Sequence, residues 1–380
     1  MDNKILIDLR HKLHQHPELS NQEFRTSEHI SAFMRLLHPD EVILLGKTGK
    51  AFVFNGKQPG KTIVFRAELD ALTITEISDK PHKSVIEKVA HSCGHDGHMT
   101  IVAGLAQKIA EIPPVRGKVV LLFQPAEEVE QGARDVVEDP AFQKLKPDYI
   151  FGLHNVPGKE ANSILVKSGS FAAASTGMTI KLTGKTSHAA EPENGISPAM
   201  AISRIIQRLH QLSDSSTLFK DMVLLTIVHV MLGEIAFGTS PGYAEIRVTL
   251  RAFENEDMEL LTTNTEKLVH EIAHAERLVC EIGWSEVFPA TVNHPECIQM
   301  IEQSAIVLGL SIEHLQTPFK WSEDFAYYTG VYKGGFFGLG AGVHHPQLHN
   351  PEYDFPDEII DTGINMFFNL YEKLLVSPSE

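Results

Sequence analysis

Four short segments concentrate the residue types that bind metals and move protons: HSCGHDGH at 91–98, QPAEE at 124–128, GLHN at 152–155 and LHNPEYDFPDE at 348–358. QPAEE follows the apolar run VVLLF at 119–123, a pattern that predicts a strand buried on both faces. Glu127 and Glu128 would then emerge together at the strand's end. Adjacent carboxylates repel unless cations neutralise them. A metal centre resolves that conflict, with one carboxylate on metal and its neighbour handling protons. GLHN extends another apolar strand pattern, YIFGL, and would place His154 beside the pair. HSCGHDGH offers a thiol and several imidazoles just before a helical pattern. Imidazole, thiolate and carboxylate together suit zinc, manganese or cobalt better than magnesium or calcium. Each piece alone has a bland alternative: a lone Cys is commonly a small buried hydrophobe, and an EE pair commonly opens a solvated helix face. Their joint placement is the stronger argument.

The elements that would position these segments can be read from periodicity. Residues 3–14 and 21–37 predict helices, and 51–55 and 62–66 predict strands joined by the turn GKQPG. Residues 98–109 carry apolar side chains at a helical period, and 119–123 and 149–153 are buried strands. Alternating α and β elements argue for an α/β fold with an open sheet between helices. In such sheets ligands bind at the carboxyl ends of strands, so separate loops converge there. The middle of the chain differs. Strands at 176–183, 222–231, 243–253 and 279–284 alternate with helices from Ser197-Pro198 and at 256–277. The order β-α-β-β-α-β predicts a ferredoxin-like α+β domain at 176–287, inserted into a catalytic domain formed by 1–175 and 288–380. A last helix is expected at 357–375.

Length and composition set bounds. A chain of 380 residues favours two domains. A formal charge of −16 argues against nucleic acid or an anionic membrane as partner. No apolar run is long enough to span a bilayer, and the first fifteen residues do not form a secretory signal. Three cysteines, Cys93, Cys280 and Cys297, are no disulfide framework. A cytoplasmic location is expected.

Taken in order, RHKLHQHPELSNQE, FRAELDAL, HSCGHDGH, FQPAEE, GLHN, GKTSHAAEPENGISPA, WSEDFAYY and LHNPEYDFPDEII resemble the amidohydrolase branch of the metallo-aminoacylase and carboxypeptidase superfamily. That branch includes N-acyl-amino-acid deacylases, hippurate hydrolases, N-acetyl-diaminopimelate deacetylases and auxin-conjugate hydrolases. The resemblance implies a zinc-peptidase-like catalytic domain with an inserted lid and dimerisation domain. It implies two divalent ions per subunit (zinc, manganese, cobalt or nickel) on Cys93, His95, Glu128, His154 and His349. It also implies Glu127 as general base, and His188 and Arg251 as residues that hold an N-acyl amino acid in a homodimer. The same residues would serve a metallo-carboxypeptidase or dipeptidase. His14, His16, Pro17 and Glu18 are expected to shape a turn. Asp70 is expected to support the metal loop, Asp96 and His98 to orient His95 or cap a helix, and Glu323 and Asp324 to orient ligands or close the pocket wall. Two departures stand out: Glu68 replaces the usual Asp, and GTSP at 238–241 replaces an Asn-containing stretch.

Overall fold

The computed structural model describes residues 3–214 and 217–377. It divides into two compact units, each treated separately below. One comprises Met1–Phe171, Thr291–Thr317 and Asp324–Glu380; the other comprises Ala172–Ala290 and Pro318–Glu323. The division differs from the expected 1–175, 176–287 and 288–380 by a few residues at each junction. It also assigns the short segment Pro318–Glu323 to the inserted unit. There, Ala173 N donates to the carbonyl oxygens of Phe319 and Trp321, and Arg251 Nη1 donates to Lys320 O.

The larger unit is built on an eight-stranded mixed sheet. Its order is Glu41–Leu45, Gly49–Asn55, Arg116–Gln124, Gln58–Glu68, Tyr149–Val156, Lys333–Gly340, Ile164–Val166 and Ile312–His314. Gln58–Glu68 runs parallel to both Arg116–Gln124 and Tyr149–Val156, and Tyr149–Val156 runs parallel to Lys333–Gly340. Four adjacent strands therefore end on the same side. Successive residues such as Ile63 and Val64, or Leu121 and Leu122, are all fully buried. Both faces are thus covered, which explains why these strands read as continuous apolar runs rather than alternating ones. Helices Asn3–Gln15, His95–Glu111 and Ile360–Tyr371 contribute Leu6, Leu9, Met99, Leu105 and Phe367 to the main core. Fully burying each such side chain contributes about 2 kcal/mol.

Four strands of this sheet, Glu41–Leu45, Ile164–Val166, Ile312–His314 and Lys333–Gly340, do not show in the sequence pattern, and the last has a physical reason. Lys333–Gly340 (KGGFFGLG) pairs with strands on both sides, yet half of it is glycine, a residue depleted from strands. Contact explains the composition. A Cβ at Gly335 would lie 2.8 Å from Cys297 Cβ, and one at Gly338 would lie 2.9 Å from a Val156 methyl. Neighbouring side chains fill the space that larger residues would need.

The inserted unit has a four-stranded antiparallel sheet, ordered Val223–Leu232, Tyr243–Ala252, Ala174–Thr183 and Val279–Phe288. With helices Ala199–Ser213 and Asn255–Ala275 the chain order is β-α-β-β-α-β. In Tyr243–Ala252, Ala244, Ile246, Val248 and Leu250 are buried, and they pack with Ile205, Leu209, Leu261 and Val269 of the two helices. The first of those helices starts one residue later than expected. Pro198 occupies the N-cap position, while Ser197 Oγ accepts from Ala199 N at 3.3 Å. The last expected helix resolves into a 3₁₀ turn, Asp357–Ile359, the α-helix Ile360–Tyr371 and a π-turn, Glu372–Val376. Among the described residues no helix is long and apolar enough to cross a membrane, and Cys93, Cys280 and Cys297 form no disulfide.

Candidate metal centre

Three ends of parallel strands deliver the site. After Gln58–Glu68 the chain continues into Leu69 and Asp70. After Arg116–Gln124 it passes through Pro125 and Ala126 to Glu127 and Glu128. His154 and Asn155 lie within the last turn of pleat of Tyr149–Val156, so this strand runs further than the sequence pattern indicated. Cys93 and His95 sit where a loop becomes the helix His95–Glu111. Gly94 between them has φ +94°, and a Cβ there would lie 2.6 Å from Asn155 Oδ1. Only glycine fits that turn without strain or collision. His349 is itself left-handed, at φ +63°, and its backbone N–H donates to Ser92 O at 2.8 Å. That bond fixes its segment beside the Cys93 loop.

Among the described residues, four overlapping groups of ligand-type atoms lie wholly within the larger unit, each with all its atoms within 4.8 Å of one another. They are Cys93, His95 and His154; Cys93, Glu128 and His349; His95, Glu127 and Glu128; and Glu68, His95 and His98. Cys93 Sγ lies 3.4 Å from His154 Nε2, and His95 Nε2 lies 3.8 Å from both Glu127 and Glu128. Glu128 reaches His349 Nε2 at 3.9 Å. Every residue expected to bind metal is therefore brought to one place, with Glu127 next to them. Arg251 and His188 lie in the inserted unit. Arg251 Nη1 donates to Ser322 Oγ and Lys320 O. His188 is exposed on the short strand Ser187–His188, which pairs with Thr239–Ser240, so the unusual GTSP stretch is its direct neighbour.

Hydrogen bonds aim the donor atoms. His95 Nδ1 donates to the Asp70 backbone oxygen at 2.9 Å, which leaves Nε2 turned toward the carboxylates. His154 Nδ1 donates to Asn155 O at 2.9 Å, which turns its Nε2 toward Cys93 in the same way. Such a second bond fixes both tautomer and ring orientation in metal-binding histidines. The Asp70 side chain accepts from Ser20 Oγ and from Glu128 N. Burial alone would raise its carboxyl pKa; the contacts with His95, Ser20 and Glu128 outweigh that and hold it below the usual range. His95 shows the reverse balance. Burial disfavours its cation, but Asp70 and Glu128 outweigh that and raise it to about 8.

One supporting residue, Glu23, was not singled out from sequence. Glu23 is fully buried and accepts from Ala126 N at 2.8 Å, anchoring the turn that carries Glu127. Burial, followed by the charge of Asp70, raises its pKa. Asp324 accepts from Arg66, Gln124 and Ala133 N, bracing the same turn from its other end. His98 does not orient His95: its Nδ1 donates to Glu68 at 2.7 Å and its Nε2 meets Asn155 Oδ1 at 2.6 Å. Asp96 neither caps a helix nor holds His95. The helix begins at His95 with Gly94 as N-cap, and Asp96 instead accepts from Arg10 and His14. His14 is accordingly a buried network residue and not a shaper of the turn that follows it.

A mixed sheet flanked by helices, with a buried cluster of imidazole, thiol and carboxylate at its carboxyl edge, defines a hydrolase of the metal-dependent class. The model of peptidase family M20/M25/M40 matches residues 64–373, and this chain belongs to that family. It is 31% identical to a hippurate hydrolase of Campylobacter jejuni over 97% of this chain and 96% of that one. A structure from methicillin-resistant Staphylococcus aureus aligns with TM-score 0.90 and 26% identity, covering 98% and 97% of the two chains. A Bacillus subtilis protein described as a dinuclear metal-binding peptidase of family M20 aligns with TM-score 0.84 and 28% identity, covering 98% of each chain. Together these place the chain in the amidohydrolase branch of the family, as a metal-dependent amidohydrolase.

Proposed function

We propose that this protein hydrolyses the amide bond of small N-acylated amino acids, using two divalent cations and Glu127 as general base. The observation that carries the reading is His95 Nε2. It is buried, has no hydrogen-bond partner, and faces two carboxylates at 3.8 Å. A buried imidazole nitrogen aimed at carboxylates is costly unless a proton or a cation sits between them. The donor set therefore fits metal. Cys93, His95, Glu128, His154 and His349 would together hold the two ions. The mixture of nitrogen, sulfur and oxygen donors favours zinc, manganese, cobalt or nickel. When bound, such ions acidify water and polarise a carbonyl.

The protein's own groups account for proton movement and substrate grip. Glu127 is buried beside the donor cluster, where its carboxylate can take a proton from water attacking the amide carbon. It can then return that proton to the departing nitrogen. His188 Nδ1 accepts from Ala190 N at 3.0 Å, so a neutral His188 carries its proton on Nε2. That proton is the donor we assign to the developing oxyanion or the acyl oxygen. Arg251 would hold the substrate carboxylate.

The relative's name, hippurate hydrolase, supports an acyl amino acid as substrate. We also propose a homodimer that forms through the inserted unit. The test is a panel of N-acetyl and N-benzoyl amino acids and dipeptides, assayed after chelation and after adding back zinc, manganese, cobalt or nickel. Acyl-amino-acid hydrolysis that is lost on chelation and restored by metal is expected. A loaded enzyme that cleaves dipeptides alone would overturn the substrate assignment.

A further inference from the structure

The N-terminal helix contributes no candidate ligand, yet it carries a buried cation paired with several acidic side chains. Arg10 is fully buried. Its Nη1 donates to Asp96 at 3.1 Å and to Asp354 at 2.7 Å, its Nε pairs with Asp357 at 2.5 Å, and its Nη2 donates to His82 Nε2 at 2.9 Å. One turn later on the same helix, His14 pairs with Asp96 at 2.9 Å and Glu76 at 3.4 Å.

The positions of these carboxylates matter more than their number. Asp96 directly follows His95 at the start of its helix. Asp354 and Asp357 lie on the segment that leaves His349, and Asp354 is held from its own side by His345 Nε2, which donates to its carbonyl oxygen at 2.7 Å. A single guanidinium thus bonds to both ligand-bearing segments. Without it, the buried Asp96 and Asp354 and the partly exposed Asp357 would lose the cation they share, and the tie between the two segments would be cut. His349 is the more dependent of the two ligands. Its side chain is about half exposed, at 54%, whereas His95 is fully enclosed and separately fixed by Asp70.

We infer that Arg10 is a positioning residue for the candidate metal centre, its guanidinium clamping the His349 segment to the helix start that carries His95. The inference rests on the two-cation reading above and adds a prediction specific to one half of the site. The planar fork is essential, because a lysine ammonium is a point charge that cannot span carboxylates on different segments.

The test titrates zinc and cobalt(II) into the metal-free, full-length chain and into Arg10→Lys, Asp354→Asn and the double variant. Bound metal is counted, and the visible spectrum of the cobalt form is recorded. Arg10→Lys keeps the buried charge, and Asp354→Asn is a milder perturbation that serves if the lysine variant fails to fold. Each single variant is expected to weaken the second equivalent by about 10- to 100-fold, with the first within about twofold, and to alter the cobalt spectrum. The double variant should be no weaker than the poorer single one, because both act through one clamp. Wild-type affinity for both equivalents in either folded single variant overturns the inference, as do losses that simply add. A wild-type chain that binds no metal would sink the parent reading instead.

Discussion

At the residue scale, the two neighbouring carboxylates carry different chemistry, and substitution separates them. Glu127 sits by His95, while Glu128 reaches both His95 and His349. Replacing Glu127 by Gln keeps the shape and removes the proton acceptor. We expect kcat to fall by roughly 100- to 10,000-fold with bound metal unchanged, measured by steady-state kinetics and elemental analysis. His349→Ala should do the opposite first, lowering metal content. A Glu127→Gln enzyme with normal kcat would remove Glu127 from the proton path. These residue types were legible in sequence because they occur in dense clusters beside apolar strand patterns. Their supports were less so: Asp324 was expected to orient ligands, but its partners were not. Arg66, Gln124 and Asp324 form one hydrogen-bonded group although Asp324 lies 258 residues from Arg66, and nothing in spacing announces such a meeting.

At the element scale, periodicity exposed the helices and parallel strands that bury large apolar faces. It failed at Lys333–Gly340, where close packing replaced side-chain volume with glycine. It found the first helix but not its buried polar face. Leu6, Leu9 and Leu13 form an apolar stripe, and Arg10 and His14 on the same helix are also fully buried. The cost of that burial makes a pH prediction. Burial works against a charged His14, yet Asp96 and Glu76 outweigh it and raise the imidazole to about 9. The same contact, with Arg10, lowers Asp96 against its own burial penalty. A folded pKa above the unfolded value of about 6.5 means stabilisation that is complete below that pH and is lost as pH rises toward 9. The shift corresponds to something on the order of 3 kcal/mol. In urea unfolding of the metal-free protein, the stability gap between wild type and His14→Gln should therefore shrink steadily between pH 6.5 and 9. A gap that stays constant across that window would show that His14 is not charged in the folded chain.

At the scale of the whole molecule, the inserted unit poses a problem that a single copy leaves unsolved. Among the described residues, Val223–Leu232 is an edge strand of its sheet, paired with Tyr243–Ala252 alone. It exposes Leu224, Val228, Val230 and Leu232, and beyond it Ile235 and Phe237 are fully open to solvent. An apolar edge with unpaired backbone groups is a template for another strand, which soluble proteins ordinarily block with charge or proline. A second copy placed against it by a two-fold axis would satisfy the backbone and cover the same apolar side chains on both partners. The net charge of −16 opposes association at long range, so the apolar contact must supply the attraction, and added salt should strengthen the dimer. We expect the wild-type chain to sediment as a dimer and Phe237→Asp combined with Val230→Lys to sediment as a monomer. Bound metal should be unchanged in that variant, since every candidate ligand belongs to the other unit. His188 lies on the strand that pairs with Thr239–Ser240, just after these residues in the chain, so the monomer's activity separates two cases. Acyl-amino-acid turnover that collapses when the dimer is lost, at full metal content, would mean that the site needs the partner copy. Unchanged turnover in the monomer would mean that each chain holds its own substrate.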